Sequence, residues 1–155
     1  MEKPIIEKDV RLEQLMPLFR ERLEKGQTVR FMPRGISMLP MLRQGIDSVV
    51  LSPLPEKLKK YDLPLYQRPN GKYILHRIVG VGDTYTCLGD NQYDKEYGVE
   101  HQWMIGLVTA FYRGEKYHSV NELGYKLYCR GWYVYKRLRF FGSRCKRWLK
   151  RQMKR

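Results

Sequence analysis

Residues 63–81 read Leu63-Pro64-Leu65-Tyr66-Gln67-Arg68, then Pro69-Asn70-Gly71, then Lys72-Tyr73-Ile74-Leu75-His76-Arg77-Ile78-Val79-Gly80-Val81. Two apolar runs flank a turn signal, which predicts a β-hairpin with strands over 63–68 and 72–81. Asn-Gly is the strongest short hairpin signal, because a two-residue turn of that kind needs φ > 0 at both central residues. Working outward, Gly82-Asp83 turns the chain into a strand over Thr84–Leu88, and Met104–Tyr112 is apolar enough for a buried strand. Upstream, Thr28–Met32 and Ser48–Leu51 also read as strands. Helical spacing occurs over Asp9–Lys25, through Val10, Leu12, Leu15, Met16, Phe19 and Leu23, with Lys25-Gly26 as a stop. Pro17 leaves two readings there: one kinked helix, or a short turn followed by a helix starting near Pro17. The expected fold class is mainly β, a short N-terminal helix leading into a β-rich body with irregular connections.

Charge divides the chain. The 155 residues carry 30 Lys and Arg against 16 Asp and Glu, a formal net charge of +14. From Asn121 onward there are 12 basic residues and one acid, so the tail holds +11 and the first 120 residues hold +3. The expected organisation is a nearly balanced domain over 1–120 and a basic, aromatic-rich tail over 121–155. A hydrophobic content of 43% excludes a wholly disordered chain. Three cysteines without a CxxC pair argue against a disulfide framework or a cysteine-built zinc site. With no HExxH and no carboxylate–His cluster, neither metal nor cofactor is expected. No apolar run reaches the ~18 residues of a membrane-spanning helix, and the charged N-terminus has no secretory h-region. The expected location is therefore cytoplasmic.

The chemistry concentrates in three short segments. Gly35-Ile36-Ser37-Met38-Leu39-Pro40 places a serine between a glycine that lets the backbone approach a partner strand and a proline that stiffens the loop. By itself Ser37 is an ordinary loop serine. His76 stands among aliphatics in the predicted 72–81 strand, with Ile74, Ile78 and Gly80 on its face. By itself it is an ordinary core histidine, although such surroundings favour the neutral imidazole a general base needs. Asp90, after Gly89 in a turn, is by itself a carboxylate bonding nearby backbone.

Taken in order, the segments resemble the boxes of type I signal peptidases and the related LexA-like serine peptidases. Ser37 falls in a G-x-S-M-x-P box, followed by the strand segment Gly45-Ile46-Asp47-Ser48-Val49-Val50. Ile74-Leu75-His76-Arg77-Ile78-Val79-Gly80 is similar to the segment of the branch in which a His replaces the Lys base. Leu88-Gly89-Asp90-Asn91 and Met104-Ile105-Gly106-Leu107-Val108 are similar to the two closing boxes. The resemblance covers about residues 27–113 and implies a signal peptidase-like fold and a serine endopeptidase. Ser37 would be the nucleophile, with its backbone N–H as an oxyanion donor, and His76 the general base. Asp90 or Asp94 would orient the His or brace the loop around it. In the family pattern the second acid of that box falls a little beyond the position of Asp94.

Other assignments are weaker. Cys87 could act as nucleophile with His76, but a strand cysteine is usually a small buried hydrophobe. Lys72 and Lys95 flank the region where a LexA-like Lys base would lie, while the matching position holds His76. His101 and His118 lack partners at ligand spacing and read as surface residues. A His base makes kcat/KM rise through about 5.5–7.5. The expected substrate is a peptide or protein precursor. In the tail, Trp132, Tyr135, Leu138, Phe141, Cys145, Trp148 and Leu149 recur at spacings of three and four with cations between them, and Gly131 and Gly142 weaken a single helix. This basic amphipathic pattern points to peripheral contact with anionic membranes, and less to nucleic acid. The alternative from another class is a non-catalytic membrane- or nucleic-acid-binding protein that reuses the fold.

Overall fold

The computed structural model describes residues 12–152, and the chain divides into two units, 1–122 and 123–155. Residues 9–11 of the predicted N-terminal helix lie outside the described residues, as do 153–155 of the tail with Lys154 and Arg155. In the first unit α1 (Leu12–Glu24) buries Met16, Phe19 and Leu23 along one face. It runs through Pro17 as one helix. The proline is exposed, so the Glu13 carbonyl that it cannot bond remains open to water. Gly26, at φ +73°, ends the helix, and the N–H groups of Gly26 and Gln27 close back on Leu23 O and Arg22 O at 2.9 Å each. Phe19 meets Phe31 with ring centroids 5.4 Å apart, tying the helix to the first strand.

The strands are β1 (Val29–Phe31), β2 (Ser48–Ser52), β3 (Pro64–Gln67), β4 (Tyr73–Leu75), β5 (Arg77–Val81), β6 (Tyr85–Leu88), β7 (Glu96–Val99), β8 (Met104–Arg113) and β9 (Lys116–Ser119). All their pairings are antiparallel. They form a six-stranded sheet in the order β1-β2-β8-β3-β4, with β9 also beside β8, and a three-stranded sheet β5-β6-β7. The ten-residue β8 is the spine. Its one edge takes β2, from Ser52↔Leu107 to Ser48↔Tyr112; its other edge takes β3 at Leu107 and β9 from Ala110 to Arg113. Val108, Ala110 and Phe111 are buried, as a central strand rich in β-branched and aromatic residues demands. Between β1 and β2, the buried Asp47 carboxylate accepts from Arg43 N–H, from the Arg43 guanidinium and from Gly114 N–H at 2.8–3.0 Å. Burial pushes this carboxyl up, but those bonds hold it below the usual range and fasten the loop to the β8–β9 turn.

Two features of the predicted hairpin differ. Its loop spans 69–71 as read, but Asn70 does not take the positive φ that the Asn-Gly signal calls for. Gly71, at φ +82°, donates to Arg68 O at 2.8 Å, and Arg68 donates to Lys72 O at 2.9 Å. The loop is thus 69–71, with Pro69 and Asn70 as its central pair and only glycine in the left-handed region. Its second strand is also shorter than predicted. Leu75 pairs with Leu65 in the large sheet, whereas Arg77 pairs with Leu88 in the small one, so the chain changes sheets at His76. The side-chain alternation expected through His76 is broken there. The cluster beneath the crossing joins both sheets: Tyr66 and Met104 from the large one, Ile78, Tyr85, Cys87 and Val99 from the small one, and Leu58 from a loop. His101 and His118 are half-buried rather than surface residues: His101 bonds Tyr85 Oη at 3.2 Å, and His118 stacks on Phe111 and reaches Glu122 at 3.2 Å.

In the second unit α2 (Leu123–Gln152) is one continuous helix of 30 residues that passes through Gly131 and Gly142 unbroken. Each glycine costs about 1 kcal/mol against alanine, too little to split so long a hydrogen-bonded run. Among the described residues no helix is long and apolar enough to cross a membrane.

Gly106 sits where β8 meets β2 and β3. A Cβ there would lie 2.8 Å from Leu51 Cγ and 2.9 Å from Ser52 O. Gly106→Ala is expected to lower the unfolding free energy by about 1–3 kcal/mol, read from urea denaturation.

Candidate active site

Ser37 lies in the loop between β1 and β2, where Gly35 adopts φ +96°, a conformation that side-chain-bearing residues rarely take. Leu39 N–H to Ile36 O at 3.2 Å and Leu42 N–H to Met38 O at 3.0 Å wind the loop, with Met38, Met41 and Leu42 turned into the core. Ser37 is left half-buried on a cleft of about 120 Å³. Across the cleft stand Tyr73, Ile74 and Leu75 of β4, and then His76. The sheet crossing places His76 here: a continuous strand would have carried the ring along with one sheet.

The His76 side chain is 5% exposed, and its Nδ1 is shut off from solvent without a hydrogen-bond partner. Proton exchange with the cleft therefore belongs to Nε2. Burial pushes the imidazole down to about 4, with the carboxylate of Glu96 pulling it up and the Arg68 guanidinium pushing it down. That lies below the range expected for an exposed imidazole base, so His76 is neutral throughout the physiological range. No hydrogen bond joins Ser37 Oγ to His76.

Asp90 does not bond His76. Its two carboxylate oxygens take the Arg77 guanidinium, Nε to Oδ1 at 2.9 Å and Nη2 to Oδ2 at 2.8 Å, with the two side chains 4% and 3% exposed. Arg77 also donates to Tyr61 O at 3.2 Å and touches Met41 Sδ at 3.0 Å. Tyr61 has φ +78° and is further held by its N–H to Ile78 O at 2.7 Å. Beside the pair, Asn91 donates its N–H to Ser37 O at 2.8 Å and its side-chain amide to Ile36 O at 3.2 Å. Gly89 packs so closely that a Cβ would lie 2.8 Å from Ser37 O. The Gly89–Asn91 segment thus clamps the serine loop, and Asp90 fixes the clamp to the residue that follows His76. Asp94 is exposed, and among the described residues no ion pair or hydrogen bond involves it.

The carboxylate facing His76 is Glu96, which the sequence reading did not single out. Its Oε2 is 3.8 Å from Nδ1, beyond hydrogen-bond reach. Glu96 accepts from Tyr66 Oη and from Arg68 Nε and Nη2, each at 2.6 Å. Burial raises this carboxyl, but Arg68 and Tyr66 bring it below the ordinary glutamate range. Burial and Glu96 push Tyr66 up, so the phenol stays protonated and donates. One signal could have found Glu96: it is an acid two residues beyond Asp94. Cys87 is fully buried and pushed up to about 12 by burial, which leaves it a thiol and no nucleophile at neutral pH. Comparison with family models, curated proteins and solved structures finds no match.

Asp90→Asn is expected to cost about 3–5 kcal/mol in urea denaturation, because Arg77 is left charged and buried. Joint replacement by Arg77→Met and Asp90→Leu is expected to recover much of that loss, since both desolvation costs then vanish.

Proposed function

We propose that this chain is a serine endopeptidase of the signal peptidase-like type, with Ser37 as nucleophile and His76 as general base. The observation that carries the reading is that Ser37 and a neutral, buried His76 line one cleft, with the serine backbone clamped by Gly89–Asn91. Ser37 Oγ attacks the scissile carbonyl carbon as Nε2 takes the hydroxyl proton. The developing oxyanion can be met by the Ser37 N–H, which makes no hydrogen bond among the described residues. The imidazolium then gives its proton to the leaving amine as the C–N bond breaks. A water deprotonated by His76 attacks the acyl-enzyme, the ester bond breaks, and Ser37 regains its proton as the acid product leaves. Glu96, opposite Nδ1, opposes the charge that His76 carries between these steps.

An extended peptide suits the cleft better than a compact small molecule. β4 is the last strand in the order β1-β2-β8-β3-β4, and Tyr73–Leu75 form the cleft wall. A substrate strand can pair with that edge through main-chain hydrogen bonds, which brings its carbonyl past Ser37.

In a peptide-cleavage assay Ser37→Ala and His76→Ala are each expected to lower kcat/KM by about 10³-fold or more, and the double variant no further, since the pair acts as one unit. A folded Ser37→Ala enzyme with undiminished activity would remove the mechanism.

The second expectation concerns acid. The base works when neutral and its midpoint lies near 4, so kcat/KM should be flat from neutral pH down to about 5 and fall below that. The His76 ring resonances, followed by NMR, should titrate at the same midpoint. A kinetic limb more than about one unit from the ring's own titration would assign the base elsewhere. Stability should follow the same sign. The unfolded chain binds the His76 proton near 6.5 and the folded chain only near 4, so stability falls as pH drops through that window.

A further inference from the structure

Outside the cleft, α2 carries exposed aliphatic residues along one face. Leu123, Leu127, Val134 and Leu138 are 71%, 57%, 55% and 67% exposed. At 100° per residue these four positions fall within about 60° of one another, a stripe about 22 Å long. It shares Leu138 with the face suggested by the sequence spacing; of the other residues of that face, Tyr135 and Trp132 lie to one side of the stripe, and the side chains of Phe141, Cys145, Trp148 and Leu149 lie outside the described residues. Tyr128 and Trp132 stack on each other, centroids 6.0 Å apart, on the side of the helix away from the stripe. Exposed Lys126 and Arg130 border the stripe on one side. Within 123–152 there are ten Lys and Arg and no Asp or Glu.

We infer that this stripe docks the chain onto an anionic lipid surface. Four neighbouring aliphatic side chains gain nothing from water, and phosphate contacts made by Lys and Arg have no use for them. A bilayer surface satisfies both features at once: the aliphatics enter the headgroup–acyl boundary while the cations meet anionic headgroups. Pairing of two α2 helices would set ten positive charges against ten more, so a second copy is the poorer occupant. The proposal is independent of the peptidase reading.

The test uses the full chain, wild type, Ser37→Ala and Leu127→Glu/Leu138→Glu, co-sedimented with vesicles of phosphatidylcholine alone or mixed with phosphatidylglycerol. Circular dichroism checks that the exposed substitutions leave the helix intact. Wild type and Ser37→Ala are expected to bind the anionic vesicles equally, and the double Leu variant about tenfold more weakly. Added salt should weaken wild-type binding without abolishing it, since screening acts on the charges and not on the buried aliphatics. Undiminished binding by the Leu variant, no preference for anionic over neutral vesicles, or tighter binding to single-stranded RNA than to vesicles would each overturn the proposal.

Discussion

The buried Arg77–Asp90 pair is the constraint around which the cleft of the first unit is arranged. Two charges removed from water stabilise nothing unless nearly all their hydrogen-bonding capacity is met. Here Asp90 takes two of the guanidinium's donors at 2.8–2.9 Å, and a backbone carbonyl takes a third. Meeting that demand fixes four segments at once: the start of β5, the turn after β6, the Tyr61 loop and, through Met41, the serine loop. His76 directly precedes Arg77 in the chain, and Asn91 directly follows Asp90 and holds Ser37 O. The pair positions Ser37 and His76 without touching the imidazole or the hydroxyl.

The protonation of His76 is decided by a contest that burial wins. Glu96 lies 3.8 Å from Nδ1 and favours the imidazolium, but its oxygens are already engaged by Tyr66 and Arg68. Arg68 also offsets the carboxylate's field at the ring. The ring is therefore held neutral, with a fixed carboxylate 3.8 Å from Nδ1.

The two units answer different physical demands. The first has an acid for nearly every base and builds its core between two antiparallel sheets and a helix. The second is a single helix whose formation follows from its length and its hydrogen bonds, with an excess of positive charge that no compact core could absorb. Its exposed aliphatics are costly in water alone, which is the physical ground for seeking their partner at a surface.

Local chemistry made much of this legible in one dimension. The α1 stop at Gly26, the strands around Val29, Val49, Leu65, Cys87 and Val108, the mainly β class and the charge break near residue 120 follow from side-chain periodicity, turn residues and charge, all of which act between near neighbours. Ser37 and His76 stood out only through the order of the segments that carry them, which resembles that of the signal peptidase-like boxes; each residue alone reads as an ordinary loop serine or core histidine. Tertiary structure alone decided where strand 72–81 breaks, because Leu75 and Arg77 find partners in different sheets, Leu65 and Leu88, that are 23 positions apart in the chain. It alone sent Asp90 to Arg77 rather than to His76, and brought forward Glu96 from a strand with no alternating pattern. On α2 the spacing picked out Leu138, while the exposure of Leu123, Leu127 and Val134 beside it came from the folded chain. Pairings of this kind are settled by desolvation and hydrogen-bond completion across the folded chain, which no run of neighbouring residues encodes.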